Sequence, residues 1–417
     1  MKVPPGPGGG RSLKVVLYSG IVVEHDAVSH SLGYKLEILR RLRDQGAPIE
    51  LTVFTLASDQ AAPEIRPLPS VATLTAMEEF WDADVHMFEF GMYYDLFDAL
   101  FLIAPDRPIL VIEHNTTPPA LVDIPEVKIG CERSMIQRYN LIRAHHVACV
   151  SEFNLEIARS VGVPEERLSV LHLPPAHVST HPARTEDGRR PGGPVRLLFV
   201  GRFVRSKGVL DLLKMAERLW AQGQDMTLTL VGNPRFSDPV VMEAIEHALA
   251  GHGASGALEL VTSPDNAEMV GLFERSDCLV IPSYHEGYCV PVIEAYTAGC
   301  QVVAYDAGNL PNIVGGLGQV VTTGDVHALA NAVSAVVGAL GRSRSEGTPL
   351  IVPTSSGGLE EAQWRAAVAA HTAAYSAPAY EREFLRLFAE LAGASPCGLD
   401  DHLESLVGGR REELAHR

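Results

Sequence analysis

Short apolar runs that read as buried strands alternate with longer amphipathic stretches that read as helices, and this rhythm occurs twice along the chain. The first series reads strand 14–18, helix 32–45, strand 49–55, strand 85–90, helix 93–101, strand 108–113, helix 128–142 and strand 147–150. A helix capped by Ser151 then reaches Ser160, Gly162 ends it, and strand 168–171 follows. The second series reads strand 195–200, helix 209–220, strand 226–231, helix 240–250, strand 258–261, helix 267–275 and strand 278–281. Strands separated by helices cannot close as tight hairpins, so each series predicts a parallel sheet covered on its faces by helices. Between the two, Arg189-Arg190-Pro191-Gly192-Gly193-Pro194 cannot hold a regular element. The expected division is a first α/β domain over 1–178, a linker over 179–194 and a second α/β domain over 195–375. Helices are expected over 376–417. Within the second domain a helix is expected at 325–340 and a polar interruption at 343–358. A chain of 417 residues, 46% hydrophobic, is long enough for two cores.

Two charged motifs follow strands of the second series. After the apolar run ending at Ile281-Pro282-Ser283 comes Glu286-Gly287-Tyr288-Cys289-Val290-Pro291-Val292-Ile293-Glu294, with Pro291 suited to a first helical turn and Gly299 to a terminus. Helical side chains tilt toward the N-terminus, so Glu294, about one turn in, reaches back toward the loop that holds Glu286. The unpaired amides of that helix start suit an anion. The strand at 195–200 leads into Gly201-Arg202-Phe203-Val204-Arg205-Ser206-Lys207-Gly208, where a planar guanidinium and a mobile ammonium stand between glycines. Fixed cations stabilise a leaving diphosphate more as its charge grows in the transition state. A glycoside hydrolase also uses paired carboxylates, but it has no diphosphate for Arg202 and Lys207 to meet. No Gly-x-Gly-x-x-Gly follows the first strand, which weighs against a dinucleotide dehydrogenase.

With both motifs in order, each after a strand, the chain resembles the retaining glycosyltransferases of GT-B architecture. Within these it looks like the family 4 group that includes sucrose synthases and mannosyltransferases, in outline over residues 12–340. The resemblance implies two doubly wound, Rossmann-like domains facing a central cleft, with the helices over 376–417 returning across the hinge to the first domain. It also implies a nucleoside diphosphate sugar as co-substrate, with no other cofactor and no metal. Arg202 and Lys207 would stabilise the leaving diphosphate, Glu286 would orient the sugar, and Glu294 would hold the ribose. The amides of Gly287, Tyr288, Cys289 and Val290 would line the donor, with Gly201 turning the backbone beside it. His114, opening the loop after strand 108–113, would approach the sugar from the first domain. Two departures stand out. Relatives carry a double glycine after the first strand, whereas Ser19-Gly20 offers Gly20 alone for donor contact, and the loop over 21–30 reads as serving the acceptor. In Gly308-Asn309-Leu310-Pro311-Asn312, Asn312 stands where relatives place a glutamate.

A net charge of −17 disfavours nucleic acid and anionic membranes as partners. With no basic stripe in the first domain, the expected acceptor is soluble, a small metabolite or a cationic one. No apolar run approaches a membrane span and the N-terminus lacks the apolar core of a signal peptide, so the expected location is cytoplasmic. The six cysteines, with no Cys-x-x-Cys pair, read as free thiols. UDP-N-acetylglucosamine or UDP-glucose is the leading donor, with GDP-mannose behind. Same-face attack and a covalent route stay open, as does the oligomeric state. The competing readings are a sugar-nucleotide epimerase or hydrolase on the same fold and a catalytically silent sugar-binding module.

Overall fold

The computed structural model describes residues 11–23, 26–177, 193–394 and 405. Contacts divide the chain into two compact units. Residues 11–116, 129–173 and the final described helix form the first, and residues 117–128 and 174–376 form the second. Most of the expected linker, along with Glu24 and His25 of the 21–30 loop, lies outside the described residues.

The first unit comprises β1 (Leu13–Val22), α1 (Ala27–Asp44), β2 (Ile49–Ser58), β3 (Ile65–Pro67), α2 (Val71–Leu74), α3 (Glu78–Asp82), β4 (Val85–Phe90) and β5 (Ile109–Glu113). Then come α4 (Pro125–Gln137), which begins on the 117–128 segment, β6 (His146–Cys149), α5 (Glu152–Ser160) and β7 (Leu168–Val170). Its seven strands are all parallel, in the order β3-β2-β1-β4-β5-β6-β7. Helices cover such a sheet on both faces, so its central strands β4 and β5 are buried at every position. Tyr18 of β1 stacks on Phe88 of β4 with ring centroids 4.1 Å apart, inside a core that also holds Phe54, Phe80, Phe90 and Phe97. Each such ring contributes about 1.5–3 kcal/mol by leaving water.

The second unit comprises β8 (Val195–Val200), α6 (Val209–Ala221), β9 (Met226–Gly232), α7 (Pro239–His252), β10 (Leu258–Thr262), α8 (Asn266–Arg275), β11 (Cys278–Ile281) and α9 (Val290–Thr297). It continues with β12 (Gln301–Tyr305), α10 (Leu310–Val314), β13 (Gln319–Val321), α11 (Val326–Glu346), β14 (Ile351–Thr354), β15 (Gly357–Glu360) and α12 (Glu361–Thr372). The main sheet is parallel, in the order β10-β9-β8-β11-β12-β13, and β14 and β15 form a separate antiparallel hairpin. The last helix, α13 (Ala377–Ala394), packs in the first unit, where Glu381 pairs with Arg41 of α1 at 2.6 Å. Both main sheets reverse strand order once, between β1 and β4 and between β8 and β11, and ligands bind at the carboxyl ends beside such reversals. The architecture is α/β with two Rossmann-like sheets, the GT-B arrangement.

Several expectations need correction. The first strand does not stop at 18. It pairs with β2 as far as Val22 opposite Ser58, so Gly20 lies inside a strand, and α1 begins at Ala27 with Asp26 as its cap, not at residue 32. Little loop is left over 21–30. The expected helix 93–101 is a 3-10 helix over Asp95–Phe101, and the expected helix 128–142 is α4 followed by 3-10 turns over Arg138–Arg143. The interruption at 343–358 is instead the end of α11 and a hairpin, because Ser343 Oγ donates to the Thr348 carbonyl and fastens the turn. Strands β3, β12 and β13 were not anticipated. Among the described residues no helix is long and apolar enough to cross a membrane.

Candidate functional site

The reversal in the second sheet sets the loops after β8 and β11 side by side, and those loops carry the two charged motifs. Two contacts fasten them, and a third braces Glu286 within its own loop. Lys207 Nζ lies 2.6 Å from Glu286 Oε1, and Ser283 Oγ donates to the same oxygen at 2.8 Å. The Tyr284 amide donates to the Ser206 carbonyl at 2.8 Å. Gly208, at φ +68°, lies so close to Pro282 that a Cβ there would sit 1.7 Å from its carbonyl oxygen. Only glycine fits where two backbones meet this closely. The pairing of Lys207 with Glu286 therefore follows from how the loops pack.

Glu286 is buried and Lys207 keeps 21% of its side-chain surface open. An ammonium has three hydrogens to donate, so the pair leaves Lys207 able to meet an anion. Arg202 is exposed and makes no side-chain hydrogen bond or ion pair among the described residues. Its neighbour Arg205 is spent elsewhere, on Asp123 at 2.9 Å. Gly201 follows the last residue of β8.

Gly287, Tyr288 and Cys289 are buried and lead into α9. Cys289 holds φ +75°, the left-handed region that a residue with a Cβ seldom adopts, and the helix has no side-chain cap. Val290 and Pro291 begin the first turn, so the helix start presents amide donors with no side chain of its own to receive them. Burial pushes the Cys289 thiol up, and Glu286 and, more weakly, Glu294 push it further, so both carboxylates act on one point. Glu294 is 3% exposed, and its Oε1 accepts the His177 amide at 3.0 Å. Burial raises its carboxyl to about 7, with the His177 and Ala176 amides drawing it back.

The 308–312 segment serves the chain itself. The Asn309 amide donates to the Glu286 carbonyl at 2.8 Å and its side chain to the Tyr288 carbonyl at 3.3 Å. Gly308 allows this approach, since a Cβ would lie 2.2 Å from the Glu286 oxygen, and Asn312 holds Asn309 in turn through a 3.2 Å bond to its Oδ1. Below the Glu286 loop, Asp211 accepts hydroxyls from Tyr284 at 2.6 Å and Tyr305 at 3.1 Å. Sequence reasoning missed Ser283, Asn309 and Asp211. The signal at Asn309 was a glycine before a buried amide, which marks close backbone contact.

Gly20 and His114 belong to the first unit. Gly20 faces Tyr94, whose Cβ would be 3.3 Å from an added Cβ. His114 follows β5, donates its backbone amide to the Phe90 carbonyl at 2.7 Å, and has Nε2 2.6 Å from Glu89 Oε2.

Residues 194–338 match the family described as Glycosyl transferases group 1. Among curated relatives, a glycogen synthase of Mycobacterium tuberculosis is 33% identical over 159 residues, 36% of each chain. A 2-deoxystreptamine glucosyltransferase of Streptomyces kanamyceticus is 28% identical over 214 residues, 48% of this chain and 54% of that one. The matched stretches span about a third to a half of those relatives' own length. Among solved structures, a sucrose-phosphate synthase from Thermosynechococcus elongatus superposes with a TM-score of 0.65 at 18% identity, covering 91% of this chain and 99% of that one. The Anabaena HepE protein in complex with UDP-glucose superposes at 0.62 with 14% identity, covering 90% and 99%. At such identities these structures speak for the fold.

Proposed function

We propose that this chain is a retaining glycosyltransferase acting on a nucleoside diphosphate sugar, a reading supported by the match of residues 194–338 to the family described as Glycosyl transferases group 1. The observation that carries the reading is the Lys207–Glu286 pair beside an exposed Arg202 and an uncapped helix start, all at the sheet's reversal point. The diphosphate binds Arg202, Lys207 and the first amides of α9. Glu286 and the amides over 287–290 orient the sugar, and Glu294 takes the ribose hydroxyls. As the bond from the anomeric carbon to the diphosphate oxygen breaks, the two cations meet the growing charge, each contributing about 3 kcal/mol to the barrier change. The acceptor oxygen bonds to the anomeric carbon from the same face, and its proton passes to the departing phosphate. The side-chain cations do the work a metal ion does elsewhere.

UDP-glucose or UDP-N-acetylglucosamine is the proposed donor, supported by the UDP-glucose complex of a similarly folded protein. The acceptor is a small soluble polyol. A net charge of −17 favours a cationic one, such as the aminocyclitol named for one relative. Incubating the protein with UDP-glucose, UDP-N-acetylglucosamine or GDP-mannose, with and without 2-deoxystreptamine or myo-inositol, tests this. Diphosphate release that depends on the acceptor is the expected result. Release at the same rate without any acceptor makes the protein an epimerase or hydrolase, and binding without turnover makes it a sugar-binding module.

A further inference from the structure

Ser283 is 1% exposed and stands in the loop between β11 and Glu286. Its hydroxyl has one hydrogen to give, and Glu286 Oε1 receives it at 2.8 Å. Lys207 Nζ meets the same oxygen at 2.6 Å, so both donors hold one side of the carboxylate. Glu286 Oε2 has no hydrogen-bond partner among the described residues. Unlike both oxygens of Glu113 in the first unit, it is not sealed from solvent. A carboxylate oxygen placed in this way can accept hydroxyls from a ligand.

The two donors differ in how firmly they are held. Ser283 sits between clamped neighbours. The Pro282 carbonyl lies against Gly208, where a Cβ would come within 1.7 Å of its oxygen, and the Tyr284 amide donates to the Ser206 carbonyl at 2.8 Å. The Tyr284 ring is tied down in turn, its hydroxyl donating to Asp211 Oδ2 at 2.6 Å. The backbone of Glu286 is fixed from the other side by the Asn309 amide, which donates to its carbonyl at 2.8 Å. Between two fixed backbones the short serine side chain has one direction in which to point. Lys207 reaches the shared oxygen along a flexible four-carbon stem and keeps 21% of its side chain open, so a bound anion can draw the ammonium away.

We propose that Ser283 is a positioning residue that holds Glu286 Oε1 with or without Lys207, so that Oε2 stays turned to a sugar's hydroxyls while the ammonium turns to the diphosphate. The two ligand classes rest on the glycosyltransferase reading, whereas the hold of Ser283 on the carboxylate does not. A lysine serving alone would loosen the carboxylate at the moment it moved toward the phosphates. The serine hydroxyl separates the two tasks, because it carries no charge for an anion to attract.

Crystal structures of Lys207→Met and of Lys207→Met with Ser283→Ala, both without ligand, test the hold. In the single variant Glu286 Oε1 is expected to stay within hydrogen-bond distance of Ser283 Oγ, with the carboxylate within about 0.5 Å of its place in the wild type. In the double variant it is expected to turn away. A carboxylate that leaves Ser283 in the single variant, or keeps its place in the double one, overturns the proposal. Ser283→Ala on its own keeps Lys207 beside Glu286 and decides the question in solution if the lysine variants fail to fold. With UDP-glucose, UDP-N-acetylglucosamine or GDP-mannose, whichever turns over, kcat/KM is expected to fall about 10- to 100-fold. The dissociation constant of the matching nucleoside diphosphate, which carries no sugar to meet Glu286, is expected to stay within about threefold. An equal loss in diphosphate binding shows a merely structural role and overturns the proposal, as does unchanged turnover. If no sugar nucleotide turns over in the wild type, the transferase reading fails, while the crystal comparison still decides the hold.

Discussion

The two sheets each bring a lysine and a glutamate together near the reversal of strand order, yet the two pairs are built for different work. Lys35 and Glu89 are sealed, with exposures of 0% and 1%, and their partners come from three elements of the first unit. Lys207 keeps 21% of its side chain open beside a buried Glu286, at 10%, and their loops are fastened by backbone contacts around Gly208 and Gly308. A sealed pair cannot exchange partners without exposing a charge to an apolar interior, so it holds geometry. A half-open pair can rearrange around an incoming anion, because water and ligand reach it.

The contrast is sharpest in turnover. Replacing Arg202 and Lys207 together by alanine is expected to lower acceptor-dependent diphosphate release by about 10⁴-fold or more, since each cation faces the leaving group and each removal costs about 10²–10³-fold. Retention of full activity breaks the assignment of the open pair. Stability comes next. Lys35→Met or Glu89→Gln alone leaves an uncompensated buried charge and is expected to cost about 3–5 kcal/mol in denaturant unfolding, with most of it recovered in the double variant. Lys207→Met also takes the cation from a carboxylate, but Ser283 still donates to Glu286 and the lysine side is open to water, so a smaller loss is expected by the same measurement. Equal losses at the two sites would erase the distinction between sealed and open pairs.

A smaller effect depends on pH. Burial raises the Glu294 carboxyl to about 7 in the folded chain, above its value in the unfolded one, so folding favours the protonated form. That stabilising contribution is present at pH 4.5 and below and is lost as pH rises through 7. Glu294→Gln is therefore expected to raise the melting temperature at pH 8, by up to about 3 kcal/mol of stability, and to change it little at pH 4.5. The same variant should weaken binding of UDP. A gain at pH 4.5 as large as that at pH 8 would show that the carboxyl is not the cause. The smallest expected effect is none at all: turnover in excess EDTA should match turnover in magnesium, and dependence on the metal would remove the role given to Arg202 and Lys207.

Much of this was legible in the residues. The alternation of apolar runs and helices gave two parallel sheets because strand burial and helix periodicity are local properties that neighbours along the chain express together. The motif glycines were legible too, since Gly208 and Gly308 mark places where only a hydrogen fits. Other features were not. Gly20 read as the end of a strand because serine and glycine suit turns, but pairing with β2 carries β1 on to Val22. Glu89 sat unnoticed in a strand whose six positions are all buried, where a single charge says nothing of its partner. The hairpin over 351–360 was hidden because its strands are short and its turn is polar.

By itself the sequence determined the order of elements, the place of each charged motif after a strand and the residues able to carry charge there, because each depends on a few adjacent side chains. Only the tertiary structure decided which charges meet. Lys207 finds Glu286 across 79 positions, the His177 amide finds Glu294 across 117, and Lys35 finds Tyr380 across 345. Partners so far apart are chosen by how sheets and helices close around a core, and nothing local to either residue carries that information.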